Sequence, residues 1–340
     1  MKILLIGGTG FIGRFLAADL ARRGHELAIF HRGATKLDGP HVSITGDRKR
    51  LAESRDALRA FGPEIIVDLV LSSGAQARDL VELARGGARH VVALSSMDVY
   101  RACGVLHRLE PGPLEPLPLT EESALRTKLQ TYPPQQIEGL RQIFGWVDDD
   151  YDKIPVEQAL LGARELRTTI LRLPMVYGPF DPLRRLHPIV RRIDDGRRAL
   201  LLPEPLAAWR ATRGYVENVA AAIALAACSE ASAGIYNVGE LDARSELEWA
   251  RLVGAAAGWD GEVVVLPEDA TPPHLRLPGN TDQHWIAETS RLRREFGFVE
   301  PVARDEAIRR TIAWERATPV TGFVPYAFDY AAEDAALRRG

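Results

Sequence analysis

Lys2-Ile3-Leu4-Leu5-Ile6-Gly7-Gly8-Thr9-Gly10-Phe11-Ile12-Gly13 opens the chain with an aliphatic run that passes straight into glycines and then into a helical pattern. The run reads as a strand buried on both faces, because a sheet covered on each side leaves no polar alternation. After it, Ile12, Leu16 and Leu20 recur at helical spacing with Phe15 beside them, as far as Arg22-Arg23-Gly24. Glycines at 7, 10 and 13, with Gly8 alongside, allow a tight turn, a close approach of backbone to an anion, and packing of the helix on the sheet. The helix start adds free amides and a partial positive charge, so the expected occupant is the diphosphate of a nicotinamide dinucleotide. Gly7, Thr9, Gly10, Phe11, Ile12 and Gly13 are the residues assigned to it.

Outward from this turn the same rhythm continues. Aliphatic runs near 2–7, 26–31, 41–45, 64–70, 90–95 and 168–173 alternate with helical patterns, including a charged one around 49–61 that stops at Gly62-Pro63 and another over 76–86. The expected fold class is α/β, a Rossmann-type doubly wound parallel sheet with a smaller C-terminal substrate lobe. From 105 to 147 the rhythm breaks at Pro111, Pro113, Pro116, Pro118, Pro133 and Pro134, where missing amides and fixed φ oppose regular structure. This stretch is expected to be a long loop or cover. Beyond Pro179 come shorter helices: one carrying Leu183, Leu186, Val190 and Ile193, then 216–228, 246–257 and 305–316. The expected domains are a dinucleotide-binding unit over 1–178 with about 211–240, a smaller lobe over 179–210 and 241–330, and a frayed tail over 331–340.

The totals exclude several classes. With 340 residues, 46% hydrophobic and 26% charged, the chain has the balance of an ordinary globular protein with room for a large core and an appendage. A net charge of -3 gives no overall attraction for nucleic acid or anionic lipid. The apolar start is too short for a signal segment or a membrane span. Two distant cysteines, Cys103 and Cys228, fit a reduced compartment or a single disulfide, and a cytoplasmic location is expected. The histidines, His274 and His284 among them, lack ligand spacing, so no metal is expected.

Other positions bear on specificity. Where an acid at the end of the second strand would hold the ribose hydroxyls, the chain has His31-Arg32-Gly33; a guanidinium there favours a 2′-phosphate, hence NADP, with NAD also compatible. Asp47 is placed to accept from the adenine amino group or to serve as a plain turn aspartate. Arg184, Arg185, Arg191, Arg192, Arg197 and Arg198 read as a solvated helix face or as a phosphate clamp for a nucleotide-linked substrate. Nucleic-acid binding by this cluster is not expected, since aromatic interleaving is absent. Asp148-Asp149-Asp150 reads as a solvated lead-in, with Asp150 or Asp152 capping the next helix.

The glycine turn, Ser95-Ser96-Met97-Asp98-Val99-Tyr100, Tyr151-Asp152-Lys153-Ile154-Pro155-Val156-Glu157-Gln158 and Arg172-Leu173-Pro174-Met175-Val176-Tyr177-Gly178-Pro179 occur in this order. Together with Gly214 to Ala220 they resemble the extended short-chain dehydrogenase/reductase superfamily, in its NAD-dependent epimerase/dehydratase branch, over roughly residues 1–240. The resemblance implies that Ser96 polarises a substrate oxygen and that Lys153 binds the nicotinamide ribose and lowers the pKa of a tyrosine acid/base. It also implies that Leu69, Val70, Ser95, Pro174 and Tyr177 face the cofactor. The implied tyrosine, four residues before the lysine, is Asp149 here.

Tyr151 is only two residues from Lys153, about 200° away on a helix. Pro155 suits a first helical turn, so the helix is expected to start near Asp152 and to leave Tyr151 able to swing into the site. Tyr151, Asp149 or another group then supplies the proton, or the reaction is altered or lost. The implied function is an NAD(P)-dependent oxidoreductase or epimerase/dehydratase acting on a sugar-nucleotide-like or small carbonyl or hydroxyl substrate. The other reading is a non-catalytic NADP(H)-binding protein, regulatory or RNA-associated. The implied partners are a small-molecule substrate and a second copy of the chain, with no membrane.

Overall fold

A computed structural model describes residues 1–340 except 131, 133, 231, 232, 277, 278 and 340, together with the side chains of 134 and 135. Pro133 of the proline-rich stretch and the final residue of the expected tail thus lie outside the described residues. In chain order the strands are β1 (Lys2–Ile6), β2 (Glu26–His31), β3 (Val42–Thr45), β4 (Ile65–Asp68), β5 (His90–Ser96) and β6 (Thr168–Leu173). They continue with β7 (Met175–Tyr177), β8 (Ala199–Pro203), β9 (Arg213–Tyr215), β10 (Gly234–Asn237) and β11 (Glu262–Leu266). One parallel sheet has the order β10-β6-β5-β4-β1-β2-β3. The expected six strands are present, and β10 adds a seventh at the edge beside β6.

Alternation within β1 shows why the opening run is wholly apolar. Ile3 and Leu5 join one core with Leu16 and Leu20 of the helix Phe11–Arg22 and with the helix Val216–Cys228. Leu4 and Ile6 join the other, against Leu80 of the helix Gly74–Ala84 and Val156 and Leu160 of the helix Lys153–Gly162. Successive side chains point to opposite faces, and both faces are covered. The strand order turns back between β1 and β4, so the carboxyl ends of these strands part there and leave a crevice.

Outside this sheet, β7 pairs with β9 and β8 with β11, both in parallel. The expected cover over 105–147 is not structureless: the helix Pro134–Phe144 lies within it, starting at a proline, where a missing amide is harmless. The expected charged helix around 49–61 is a 3-10 segment, Arg48–Ser54, followed by a short α-helix, Arg55–Ala60. Of the pattern carrying Leu183, only His187–Asp194 is helical, and Leu183 instead sits in a turn held by Asp181. The expected frayed tail contains the helix Tyr330–Leu337, whose Glu333 is fully buried against Arg192. Cys103 and Cys228 are both free. No helix among the described residues is long and apolar enough to cross a membrane.

Candidate functional site

Gly7 leaves β1 with φ 84, a left-handed conformation that favours glycine, and its amide bonds the Phe30 carbonyl of β2 at 3.0 Å. Gly13 lets the helix press onto the turn: a Cβ there would stand 2.7 Å from the Gly7 oxygen and from backbone atoms of Gly8. The helix has Gly10 as its N-cap, without a side-chain cap bond, and no acidic residue in its first turn. Its leading amides are therefore open to an anion.

Above this turn lies a cleft of about 310 Å³, at the carboxyl ends of β1, β2 and β4. Gly7, Thr9, Gly10, Phe11, Ile12, Gly13, Arg32, Asp47, Leu69 and Val70, all expected from sequence, line it. Phe144, Trp146 and Phe180 line it as well and carry no sequence signal. Phe180, at positive φ, stacks on the Arg14 guanidinium at 3.6 Å. The shape and donors fit a dinucleotide: glycines keep the diphosphate position open, and apolar Leu69 and Val70 flank it.

At the far end, Arg32 Nη1 donates to the Gly145 carbonyl at 3.0 Å, and Lys49 Nζ donates to the Val147 carbonyl at 3.1 Å. Two side chains of the cleft thus tie down the end of the cover. Asp47 caps the 3-10 segment by accepting from the Lys49 amide, so it is a turn aspartate that also faces the cleft. His31 bonds Ser43, leaving Arg32 the group at the end of β2 with spare donors.

Beyond Trp146 lies a buried polar cluster. Asp152 caps the helix Lys153–Gly162, so this helix starts where Pro155 predicts, and Tyr151 swings inward. The Tyr151 hydroxyl donates to Asp98 Oδ2 at 3.1 Å, and the Tyr132 hydroxyl donates to the same oxygen at 3.4 Å. Lys153 Nζ donates to the Leu71 carbonyl and, at 3.2 Å, to the Leu94 carbonyl, and lies 5.6 Å from the Tyr151 ring centre and 5.4 Å from that of Trp146. Ser96 Oγ accepts from the Asp98 amide at 3.2 Å, which leaves its own proton available. Asp98 is 1% exposed and its Oδ1 has no hydrogen-bond partner. Asp98 and Tyr132 were not found from sequence; Asp98 stands in a quoted motif, but only the fold brings its carboxylate to Tyr151.

The electrostatics differ from the expectation. Burial lowers the Lys153 pKa to about 8, against the pull of Asp98. Burial, and next to it the Asp98 carboxylate, push the Tyr151 phenol well above its ordinary value rather than below it. Burial also raises Asp98, although Arg126 and Lys153 oppose the shift. Tyr151 is thus a neutral proton donor here, because burial and the Asp98 carboxylate disfavour its phenolate, and Lys153 directs its hydrogen bonds to carbonyls.

Residues 3–109 and 150–239 match the model of the NAD dependent epimerase/dehydratase family. The chain belongs to that family. The unmatched interval includes the helix Pro134–Phe144 and supplies Tyr132, Phe144 and Trp146 to the site. Among curated relatives, the chloroplast stem-loop binding protein of 41 kDa b of Arabidopsis thaliana is 25% identical over 256 residues, 70% of this chain; the chain spans 58% of that relative's length. The 2-alkyl-3-oxoalkanoate reductase of Stenotrophomonas maltophilia is 26% identical, over 91% of this chain and 98% of the reductase. In fold, the UDP-glucose 4-epimerase of Thermotoga maritima, solved with UDP-glucose, superposes with a TM-score of 0.69 at 18% identity, over 93% of this chain and 99% of the epimerase.

Several family-implied positions are used differently. Asp149, at the place of the family tyrosine, is 82% exposed in side chain and pairs with Arg141, so it is no substitute acid in this arrangement. Ser95 is buried and donates to Glu157 Oε1 at 2.6 Å, within a bidentate Glu157–Arg172 pair. Tyr177 is buried, donates to Glu240 at 3.0 Å and packs edge-on against Trp249, so it belongs to the core and not to the cleft. Pro174 directly follows β6, beside Ser96, whose partner across the sheet is Leu173.

Asp148, expected in a solvated lead-in, instead accepts from Ser72, Ser73 and Gln76. The arginine cluster divides: Arg184 and Arg192 are buried against Glu315 and Glu333, Arg185 and Arg197 pair with Asp181 and Asp334, and Arg191 and Arg198 stay exposed beside Asp195 and Asp260. Each guanidinium has a carboxylate partner, and the exposed pairs at Arg191 and Arg198 form the solvated part of the cluster.

Proposed function

We propose that this protein is an NADP(H)-dependent oxidoreductase of the epimerase/dehydratase family that acts on a small carbonyl or hydroxyl substrate, with Tyr151 and Asp98 in place of the family's tyrosine–lysine pair. The observation that carries this reading is the Tyr151 hydroxyl held 3.1 Å from a buried Asp98, beside Ser96 and Lys153. A bound reduced nicotinamide would supply hydride at the substrate carbon. Ser96 Oγ donates to the substrate oxygen, and Tyr151 Oη passes its proton to that oxygen as it becomes a hydroxyl. That proton turns to the substrate from Asp98 Oδ2, which accepts it at rest, and is replaced from solvent after the transfer. Lys153, with two donors on the Leu71 and Leu94 carbonyls, has one left for the ribose side and favours the charged form of Asp98. A homodimer and a cytoplasmic location go with this reading by family resemblance.

Two further observations support the details. Arg32, with no acid at the end of β2, favours a 2′-phosphate and hence NADP over NAD. Burial of Arg184 and Arg192 against carboxylates takes two guanidiniums of the smaller lobe away from a phosphate, which supports a small carbonyl compound over a nucleotide-linked sugar. A second reading, cofactor binding without turnover, draws on Tyr132, whose hydroxyl shares Asp98 with Tyr151.

The test is NADPH oxidation over a panel of aldehydes, ketones and oxidised sugar nucleotides, with cofactor affinity read separately by nicotinamide fluorescence. Tyr151→Phe is expected to lower kcat by on the order of 10² or more while the Kd for NADPH holds. Arg32→Ala should weaken NADPH about tenfold and leave NADH unchanged. Turnover indifferent to Tyr151→Phe refutes the assigned acid; tight binding with no turnover on any substrate selects the second reading.

A further inference from the structure

A second cleft, of about 630 Å³, lies away from the cofactor crevice, between the helix His187–Asp194, the end of the helix Arg304–Ala317, and the segment leading into the C-terminal helix. Its walls are apolar and aromatic: Val190 on one side, Tyr326, Phe328 and Tyr330 on the other. The rings form a chain, with His187 6.0 Å from Tyr326, Tyr326 5.8 Å from Phe328, and Phe328 6.0 Å from Tyr330. The rim carboxylates are already engaged, Asp194 by Arg316 and Asp195 by Arg191 and the Tyr330 hydroxyl.

Three buried polar atoms of lining residues lack a hydrogen-bond partner. Glu315 is 4% exposed; its Oε2 pairs with Arg184 at 2.8 Å, but Oε1 is buried without a hydrogen-bond partner. His187 Nδ1 stands 3.4 Å from Glu315 Oε2 and makes no hydrogen bond. The Tyr326 hydroxyl is likewise buried and unbonded. These atoms come from three separate stretches of chain whose residues line one cavity. Buried polar atoms cost free energy when left unpaired, so such a set calls for an occupant that satisfies it.

The chemistry of the set narrows the occupant. A carboxylate oxygen only accepts, and a phenol and an imidazole nitrogen each can accept. A primary ammonium carries three donors and no acceptor, the complement of that set. Aromatic faces attract cations, as the neighbouring guanidiniums of Arg192 over Phe328 and Arg197 over Tyr330 already do at 4.8 and 5.0 Å. The cleft volume falls within the range of small-molecule sites. We infer that this cleft is a binding site for an organic primary amine, with the ammonium on Glu315, Tyr326 and His187 and an apolar body against Val190 and the aromatic wall. It is separate from the proposed catalytic cluster and does not depend on it.

The test is calorimetric titration of the full chain with 2-phenylethylammonium and with 2-phenylethanol, which has the same body and a neutral head. The ammonium should bind saturably and about tenfold or more tighter than the alcohol. Glu315→Gln should erase that preference. Tyr326→Phe, which removes only an unbonded hydroxyl, should keep the wild-type melting temperature and weaken the ammonium by about threefold or more. It keeps the test decisive if Glu315→Gln disturbs the Arg184 pair. Absence of saturable binding, equal affinity for the alcohol, or full ammonium affinity in Tyr326→Phe would overturn the assignment.

Discussion

Replacing Gly13 by alanine tests the physical basis of the cofactor cradle. The new Cβ would meet the Gly7 oxygen and the Gly8 Cα and carbonyl carbon at 2.7 Å, about 0.7 Å inside ordinary contact at 3.4 Å. All three are backbone atoms of the turn, so no side chain can rotate away. The helix itself gains by the change, since alanine exceeds glycine in helix propensity by about 1 kcal/mol. Overpacking of this kind costs about 1–3 kcal/mol, so the net loss is at most about 2 kcal/mol, a fall in Tm of up to about 3 °C.

The effect on binding should be larger, because relief of the clash moves the amides that face the diphosphate. The Kd for NADPH should rise at least about tenfold. Gly10→Ala is the control: its Cβ meets only the Gly7 oxygen, at 3.7 Å, so the fold should melt as wild type. Differential scanning calorimetry and nicotinamide fluorescence give the two readouts. A Gly13→Ala protein with unchanged melting and unchanged NADPH affinity would refute the reasoning.

Lys153 gives a pH prediction. Its folded pKa, about 8, is below the ordinary 10.5 because of burial, so between these values the unfolded chain holds more protons and stability should rise with pH by on the order of 3 kcal/mol from this group. Below pH 8 both states are protonated and the penalty is constant; Lys153→Met should remove the rise, as urea melts at a series of pH values would report. At the other end of the chain, Glu333→Ala leaves Arg192 buried without its carboxylate and strips a partner from His274. Breaking such a pair costs about 3–5 kcal/mol, so thermal melts should show a large loss, and an unchanged Tm would mean that the C-terminal helix is not docked.

The Glu157–Arg172 pair and the six paired arginines share a lesson about reading charge. A buried guanidinium looks solvated in sequence when its partner is far away along the chain: Arg184 is 131 residues from Glu315, and Arg192 is 141 from Glu333, whereas Arg185 and Arg191 pair within four residues. Ser95 is lost to the cofactor for the same reason, since Glu157, 62 residues on, claims its hydroxyl.

What could be read locally came from short-range physics. The strand run before Gly7, the glycine spacing, the helical recurrence of Ile12, Leu16 and Leu20, and Pro155 at a helix start each depend on neighbours within a turn or two. They sufficed for the parallel sheet, the glycine turn and a helix start that leaves Tyr151 free to turn inward. Tertiary structure alone decided which groups Tyr151 meets. The helix Pro134–Phe144 sits in a stretch whose prolines argue for loop, the Asp98 carboxylate reaches Tyr151 across 53 residues, and the ammonium of Lys153 is drawn to the Leu71 and Leu94 carbonyls. Burial then sets the proton affinities, and burial belongs to the packed whole, not to any window of residues.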